Sequence, residues 1–409
     1  MDFPVTRIKG GVGAPRGFQC SAISCGIKNP AAERLDLALI YSESPCTSAG
    51  TFTINRVKAA PVKLSQAHLR KGDIRAIIAN SGNANACTGV QGINDAKAMC
   101  KGVATPLGLN RSEIGVCSTG VIGLPMPMVR IEQRFDELVE GLGSGRGTEV
   151  ARAIITSDTH HKEIAISFDL GGHRVRIGGC VKGAGMISPS MATMLCFITT
   201  DANVSRDTLR KGVLEAVDES FNRITIDGDT STNDCCMLIA TGKANLPEIT
   251  EASGPLFAAL KQAVFEVCME VAQAIVRDGE GATKFVTVQV NGGGNHQECL
   301  DVGYTVAHSP LIKTALFASD PNWGRILAAV GRAGVPELDV SKIDVFLGEV
   351  CIASQGARAA TYTEAQGAAV MQQEEITIRI ELGRGDCSET IWTTDLSHEY
   401  VKINAEYRT

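Results

Sequence analysis

Apolar and polar positions along this chain follow two periods, and the switches between them mark out its elements. Short apolar runs at Leu37-Ala38-Leu39-Ile40-Tyr41, Ala76-Ile77-Ile78-Ala79 and Met194-Leu195-Cys196-Phe197-Ile198 predict buried strands. Stretches 163–170 and 174–179 alternate and meet at Gly171-Gly172, the mark of a hairpin. Helical spacing covers 127–142 and 206–221, and is clearest from Pro255 to Arg277. There Leu256, Leu260, Val264, Val267, Val271 and Ile275 share one face. Gly279 suits the end of that helix, and Phe285–Val290 is the strand after it. The small and amide residues of Asn80–Ala86 predict a turn capping a helix from about 92 to 102. Residues 1–16, polar and glycine-rich, predict a wrapping arm. Beyond 290 the rhythm changes. A loop at Asn291–Asn295, a helix opened by Ser319–Ile326, and strands at 343–353 and 376–382 predict a smaller α/β unit over about 290–385. The fold class is α/β, of the α+β kind.

Composition adds bounds. The chain has 409 residues, 44% hydrophobic and 21% charged, enough for two or three core-bearing units. A net charge of −6 gives no reason to expect a nucleic acid or a membrane as partner, so any anionic ligand must be met by local cations. No run approaches the roughly 18 apolar residues of a membrane span. The start, Met1-Asp2-Phe3-Pro4, lacks a signal peptide's pattern, so a cytoplasmic enzyme is expected. Fourteen cysteines without a Cys-x-x-Cys pair predict reduced thiols rather than a zinc or redox centre. Gly141–Gly147 departs from Gly-x-Gly-x-x-Gly at Arg146, and no Walker loop occurs, which removes nucleotide binding of those two kinds. Adjacent His160 and His161 face opposite sides of an extended chain, a poor arrangement for one metal. The three aspartates of Ile224–Asp234 lack calcium-loop spacing and are expected to scaffold the loop. No metal is expected.

Chemistry concentrates in Lys182-Gly183-Ala184-Gly185-Met186-Ile187-Ser188-Pro189-Ser190-Met191-Ala192-Thr193-Met194-Leu195. Glycines and a proline shape a loop that enters a strand, with Thr193 at the junction. A β-branched residue at a strand start is by itself unremarkable. The whole string, however, closely resembles the signature of the ornithine acetyltransferase family, bifunctional glutamate N-acetyltransferases of arginine biosynthesis. Further segments resemble the family in order: Thr51–Val62, Cys117–Gly123, Ile155–Lys162, Ile224–Asp234, Glu280–Lys284 and Ser319–Ile326. His160-His161 departs from the aromatic-proline pair of many relatives.

The resemblance implies a self-processing precursor with a layered helix–sheet–sheet–helix core. Cleavage falls between Ala192 and Thr193, giving an alpha chain of 1–192 and a beta chain of 193–409. The freed Thr193 is then an N-terminal nucleophile whose own amine takes the hydroxyl proton. Thr119 and Gly120 map onto the oxyanion hole, and Thr156, Lys182, Glu280, Asn404 and Thr409 onto substrate-binding positions, with the C-terminal tail returning to the site. The implied reaction passes acetyl from N2-acetylornithine to L-glutamate through an acetyl-threonine. No cofactor is implied, acetyl-CoA as a further donor stays open, and the assembly is a heterotetramer of two alpha and two beta chains. Charge matching suits Lys182 to a carboxylate and Glu280 to the ornithine ammonium. An amidohydrolase or aminopeptidase using the same threonine is the competing reading, differing only in water as acceptor.

Overall fold

In the computed structural model, residues 4–31, 33–188 and 194–406 are described. They form two compact units. The first holds residues up to 183, 190–222 and 229–275; the second holds 184–189, 223–228 and 276 to the C-terminus.

The first unit is built on two sheets. One has six strands in the order Thr6–Arg7, Lys162–Leu170, His173–Lys182, Leu195–Thr200, Cys235–Ala240, Thr47–Phe52. The other has four, in the order Phe18–Ile23, Leu37–Ser42, Ala76–Asn80, Ile114–Ser118. Their facing sides pack Phe18, Cys20, Ile40 and Ile77 against Cys180, Leu195, Phe197 and Met237. The opposite side of the smaller sheet, with Leu37, Leu39, Ile78 and Val116, is covered by Met99, Val103, Phe135 and Leu138 from helices. The long helix Gly254–Arg277 covers the larger sheet's outer side, where Cys236 meets Cys268 and Val267 lies over Gly179. The layers therefore run helix, sheet, sheet, helix. Strands covered on both sides favour apolar residues on both faces, which is why Leu37–Tyr41, Ala76–Ala79 and Leu195–Ile198 are unbroken apolar runs. Leu195–Thr200 is buried along its whole length, held by antiparallel His173–Lys182 on one side and parallel Cys235–Ala240 on the other.

Three expected elements differ in detail. The 127–142 helix is broken into Met128–Glu132 and Phe135–Glu140, and the second piece begins at Phe135, whose ring lies over Gly102 where any Cβ would collide with it. The helix expected at 92–102 runs Gly89–Leu107, since Val103 and Ala104 extend its buried face until Gly108 ends it in a left-handed conformation. The 343–353 strand is a hairpin, Asp344–Leu347 and Val350–Ser354.

The second unit carries a six-stranded sheet in the order Ala357–Arg358, Val350–Ser354, Asp344–Leu347, Glu375–Glu381, Phe285–Gly293, Cys387–Thr394. Helices His296–Ala307, Pro310–Phe317 and Trp323–Gly331 pack Val302, Leu316 and Val330 on its Val288 and Ile378. The last helix, His398–Ala405, starts at Ser397, whose side chain accepts the Tyr400 amide.

All fourteen cysteines are free thiols. Burial pushes Cys20 and Cys100 up to about 12. Cys117 and Cys235, from facing sheets, approach to 3.4 Å between sulfurs. Among the described residues no helix is long and apolar enough to cross a membrane.

Phe197 is fully buried between the two sheets. Replacing it with alanine should destabilise the protein by about 3–5 kcal/mol, the range for emptying an aromatic site in a packed core. Urea unfolding followed by circular dichroism checks this, and a loss below about 1 kcal/mol would mean that the sheets do not pack through this side chain.

Candidate functional site

Thr119 follows the Ile114–Ser118 strand and is buried, its N–H donating to Asn80 O at 3.0 Å. Lys182 ends the neighbouring sheet's His173–Lys182 strand, and its buried Nζ donates to Thr119 Oγ1 at 3.1 Å. A hydroxyl that accepts through its lone pair still has its own proton to give. Gly120 adopts φ +130, and a Cβ there would lie 2.3 Å from the Gly82 carbonyl carbon, so only glycine fits. The Asn80–Ala86 run supplies that close wall. Asn80 Nδ2 donates to Asn83 O at 2.9 Å, and Asn83 bridges to both Thr119 and Val121. Asn233 ties the same region down by donating to Ala84 O at 2.6 Å and Ser118 O at 2.8 Å.

Asp158 organises the rest of this half. Its Oδ2 accepts the Thr156 amide at 2.9 Å, and its Oδ1 accepts the Gly183 amide and Lys162 Nζ, both at 2.7 Å. Burial alone would raise this carboxyl. The charges of Lys182 and Lys162, with these hydrogen bonds, win and hold it at about 2. One carboxylate thus links the segment of Thr156 to the strand end that carries Lys182. His160 is exposed and His161 half-buried, 3.9 Å from Glu163.

In the second unit Glu280 is buried and its N–H donates to Ala184 O at 2.7 Å. Its carboxylate occupies the space a side chain at 185 would need, which accounts for Gly185. Asn404, on the last helix, donates from Nδ2 to Glu280 Oε2 at 2.8 Å. Ser397 Oγ fixes the start of that helix by donating to Gly281 O at 2.6 Å. The structure therefore brings Glu280 together with Asn404, and separately Lys182 with Thr119 and Gly120. Ala192, Thr193 and Thr409 lie outside the described residues.

The Ile224–Asp234 loop holds residues on either side of the stretch that contains Ala192 and Thr193. Asp227 accepts the amides of Met186 at 2.7 Å and Ile187 at 2.9 Å, and the Tyr400 hydroxyl at 3.0 Å. Asp234 Oδ1 accepts the amide of Met194, the residue after Thr193, at 3.0 Å. Burial drives the Asp234 carboxyl well above the usual range, and its Oδ2 has no hydrogen-bond partner among the described residues. The scaffold role expected of these aspartates agrees with the geometry for Asp227 and Asp234. Sequence reasoning passed over Asp158 although it lies in a family-like segment. The available signal was a carboxylate four residues before Lys162.

Residues 19–409 match the profile of the ArgJ family. The chain is 65% identical over 393 residues to the arginine biosynthesis bifunctional protein ArgJ of Pseudomonas fluorescens (strain Pf0-1), covering 96% of each. It is 62% identical, with the same coverage, to the ArgJ protein of Pseudomonas syringae pv. tomato. Among solved structures it is similar to the Bacillus halodurans ArgJ protein at 37% identity, covering 51% of this chain and 97% of that one with a TM-score of 0.49.

The Asp158 carboxylate falls from its ordinary 3.8 to about 2 on folding, so its contribution is present above pH 4 and lost as pH falls toward 2. That difference corresponds to about 2 kcal/mol. Asp158→Asn should flatten this acid-side loss and, by removing the buried negative charge that Lys182 and Lys162 face, lower stability at neutral pH by about 3–5 kcal/mol. Urea unfolding between pH 2.5 and 7 measures both, and an unchanged profile would remove Asp158 from the centre of this network.

Proposed function

The chain belongs to the ArgJ family, and from that premise we propose that it is a glutamate N-acetyltransferase that moves acetyl from N2-acetylornithine to L-glutamate. The observation that carries this reading is the buried Lys182 Nζ–Thr119 Oγ1 contact beside Gly120. Lys182 consumes an acceptor position of the hydroxyl and leaves Thr119 its proton, the condition a donor to an oxyanion must meet.

In this reading the Thr193 hydroxyl first attacks the Ala192 carbonyl, and water opens the resulting ester to leave two chains. The new α-amine, with an ordinary pKa of about 7.7–8.0, is partly neutral at working pH and accepts the proton from its own Oγ. Oγ then attacks the acetyl carbonyl of acetylornithine. Thr119 and Gly120 stabilise the oxyanion, ornithine departs, and glutamate takes the acetyl group from Thr193 in a second half-reaction. Glu280, held by Asn404, supplies negative charge for the ornithine ammonium. Lys182 supplies positive charge for a ligand carboxylate, and Thr156 and Thr409 complete the substrate contacts. Acetyl-CoA acts as a second donor, the cleaved chains assemble two of each kind, and the enzyme works in the cytoplasm. No metal takes part.

Intact-mass spectrometry of purified protein should give two chains splitting between Ala192 and Thr193, and one full-length chain for Thr193→Ala. A full-length wild type that still transfers acetyl at an undiminished rate would overturn the mechanism. Incubation of acetylornithine with glutamate should yield acetylglutamate, and steady release of free acetate instead would mean hydrolysis. Lys182→Ala should raise the KM of at least one substrate, and unchanged values for both would refute its role.

A further inference from the structure

Away from Thr119, Gly120 and Lys182, the first unit holds a cavity of about 510 Å³ that the exchange of acetyl between acetylornithine and glutamate does not use. Its floor is the Thr47–Phe52 strand, one of the two edge strands of the unit's six-stranded sheet. Its walls are the C-terminal end of the helix Ala60–Lys71 and the first turns of the helix Arg206–Glu219. Three arginines line it, Arg70 from one wall and Arg206 and Arg210 from the other, against a single acid, Asp207. Arg206 and Arg210 are four residues apart and so share a helix face.

That concentration of positive charge stands out in a chain of net charge −6. Arg206 is already oriented: it donates to Leu69 O and to Gly72 O, the latter at 3.2 Å, and lies 3.8 Å from Asp73. Arg70 and Arg210 are exposed and have no hydrogen-bond or ion-pair partner among the described residues. Clustered guanidiniums repel one another. Two left uncompensated beside a concave, nucleotide-sized space are arranged for an anion with several oxygens.

The strand edge adds neutral donors. Ser48 N–H turns away from the sheet to Asp73 Oδ1 at 2.8 Å, so its pair with Ile239 is one of the non-hydrogen-bonded pairs of the ladder. The same alternation turns the amides of Gly50 and Phe52 toward the outer edge that the cavity covers. Leu69, Phe52 and Leu214 give it an apolar part, on which a flat ring can rest.

We propose that this cavity is a binding site for a phosphate-bearing, nucleotide-sized ligand, its phosphates on Arg70, Arg206 and Arg210 and its ring on Phe52, Leu69 and Leu214. It uses neither a Gly-x-Gly-x-x-Gly turn nor a Walker loop. The site does not depend on acetyl transfer from acetylornithine.

Isothermal titration of the full protein with adenosine 3′,5′-bisphosphate, and in a parallel arm with inorganic phosphate, tests it. The bisphosphate should bind saturably and at least tenfold more tightly than phosphate. The pair Arg70→Ala and Arg210→Ala, both at exposed positions, should weaken it at least tenfold. Asp207→Asn, which removes the one acid lining the cavity, should tighten it two- to fivefold, a direction that a folding defect cannot mimic. Acetyl transfer from acetylornithine should be unchanged in both variants. No saturable binding overturns the proposal, as does equal binding by the double variant or weaker binding by Asp207→Asn. Binding of phosphate as tight as that of the bisphosphate overturns the nucleotide assignment.

Discussion

The first unit depends on a charge that water cannot reach. Asp158 is buried, yet it remains ionised because Lys162, Lys182 and two backbone amides surround it. A carboxylate in that position is tolerated only when its lone pairs are filled, and each group that fills them is thereby fixed. Fixing Gly183 fixes the end of the strand that bears Lys182, and Lys182 in turn sets the Thr119 hydroxyl. The placement of Lys182 and Thr119 follows from satisfying one ion. Loop flexibility near Gly183 and Gly185 is thus confined between firm anchors.

Those anchors have a common character. Carboxylates hold backbone amides at Thr156, Gly183, Met186, Ile187 and Met194, and three of these five amides belong to segments bordering residues 188–193. Backbone N–H groups in such a loop lack the ladder partners that a strand provides, so acids must supply them. The two aspartates of the Ile224–Asp234 loop do so seven residues apart, each within its own unit. Glu280 is the counterpart in the second unit: its carboxylate replaces a side chain at Gly185 and receives Asn404.

Much of this was legible in the sequence, for identifiable reasons. Runs such as Leu37–Tyr41 and Met194–Ile198 announce strands because both faces are covered, and the helix after Pro255 shows its buried stripe directly. The contact of the Phe135 ring with Gly102 was not legible, since it joins positions more than 30 residues apart. Gly120 could be suspected from its motif, but its necessity comes from the Gly82 carbonyl, contributed by a neighbouring strand's loop. The same holds for Asp158: its neighbours in sequence carry little hint that Lys182 and Gly183 converge on it. The arginine cavity was invisible for the same reason, as its lining comes from stretches about 140 residues apart.

The six-stranded sheet takes four of its strands from residues before 192 and two from residues after 193, and the two groups are interleaved. Leu195–Thr200 lies between His173–Lys182 and Cys235–Ala240, while Thr47–Phe52 closes the far edge against Cys235–Ala240. A backbone severed between residues 192 and 193 would therefore yield fragments entangled through one continuous ladder. Dilution could not part them, because separation would demand tearing open the core itself; the nick would be silent to any method that sizes the intact particle.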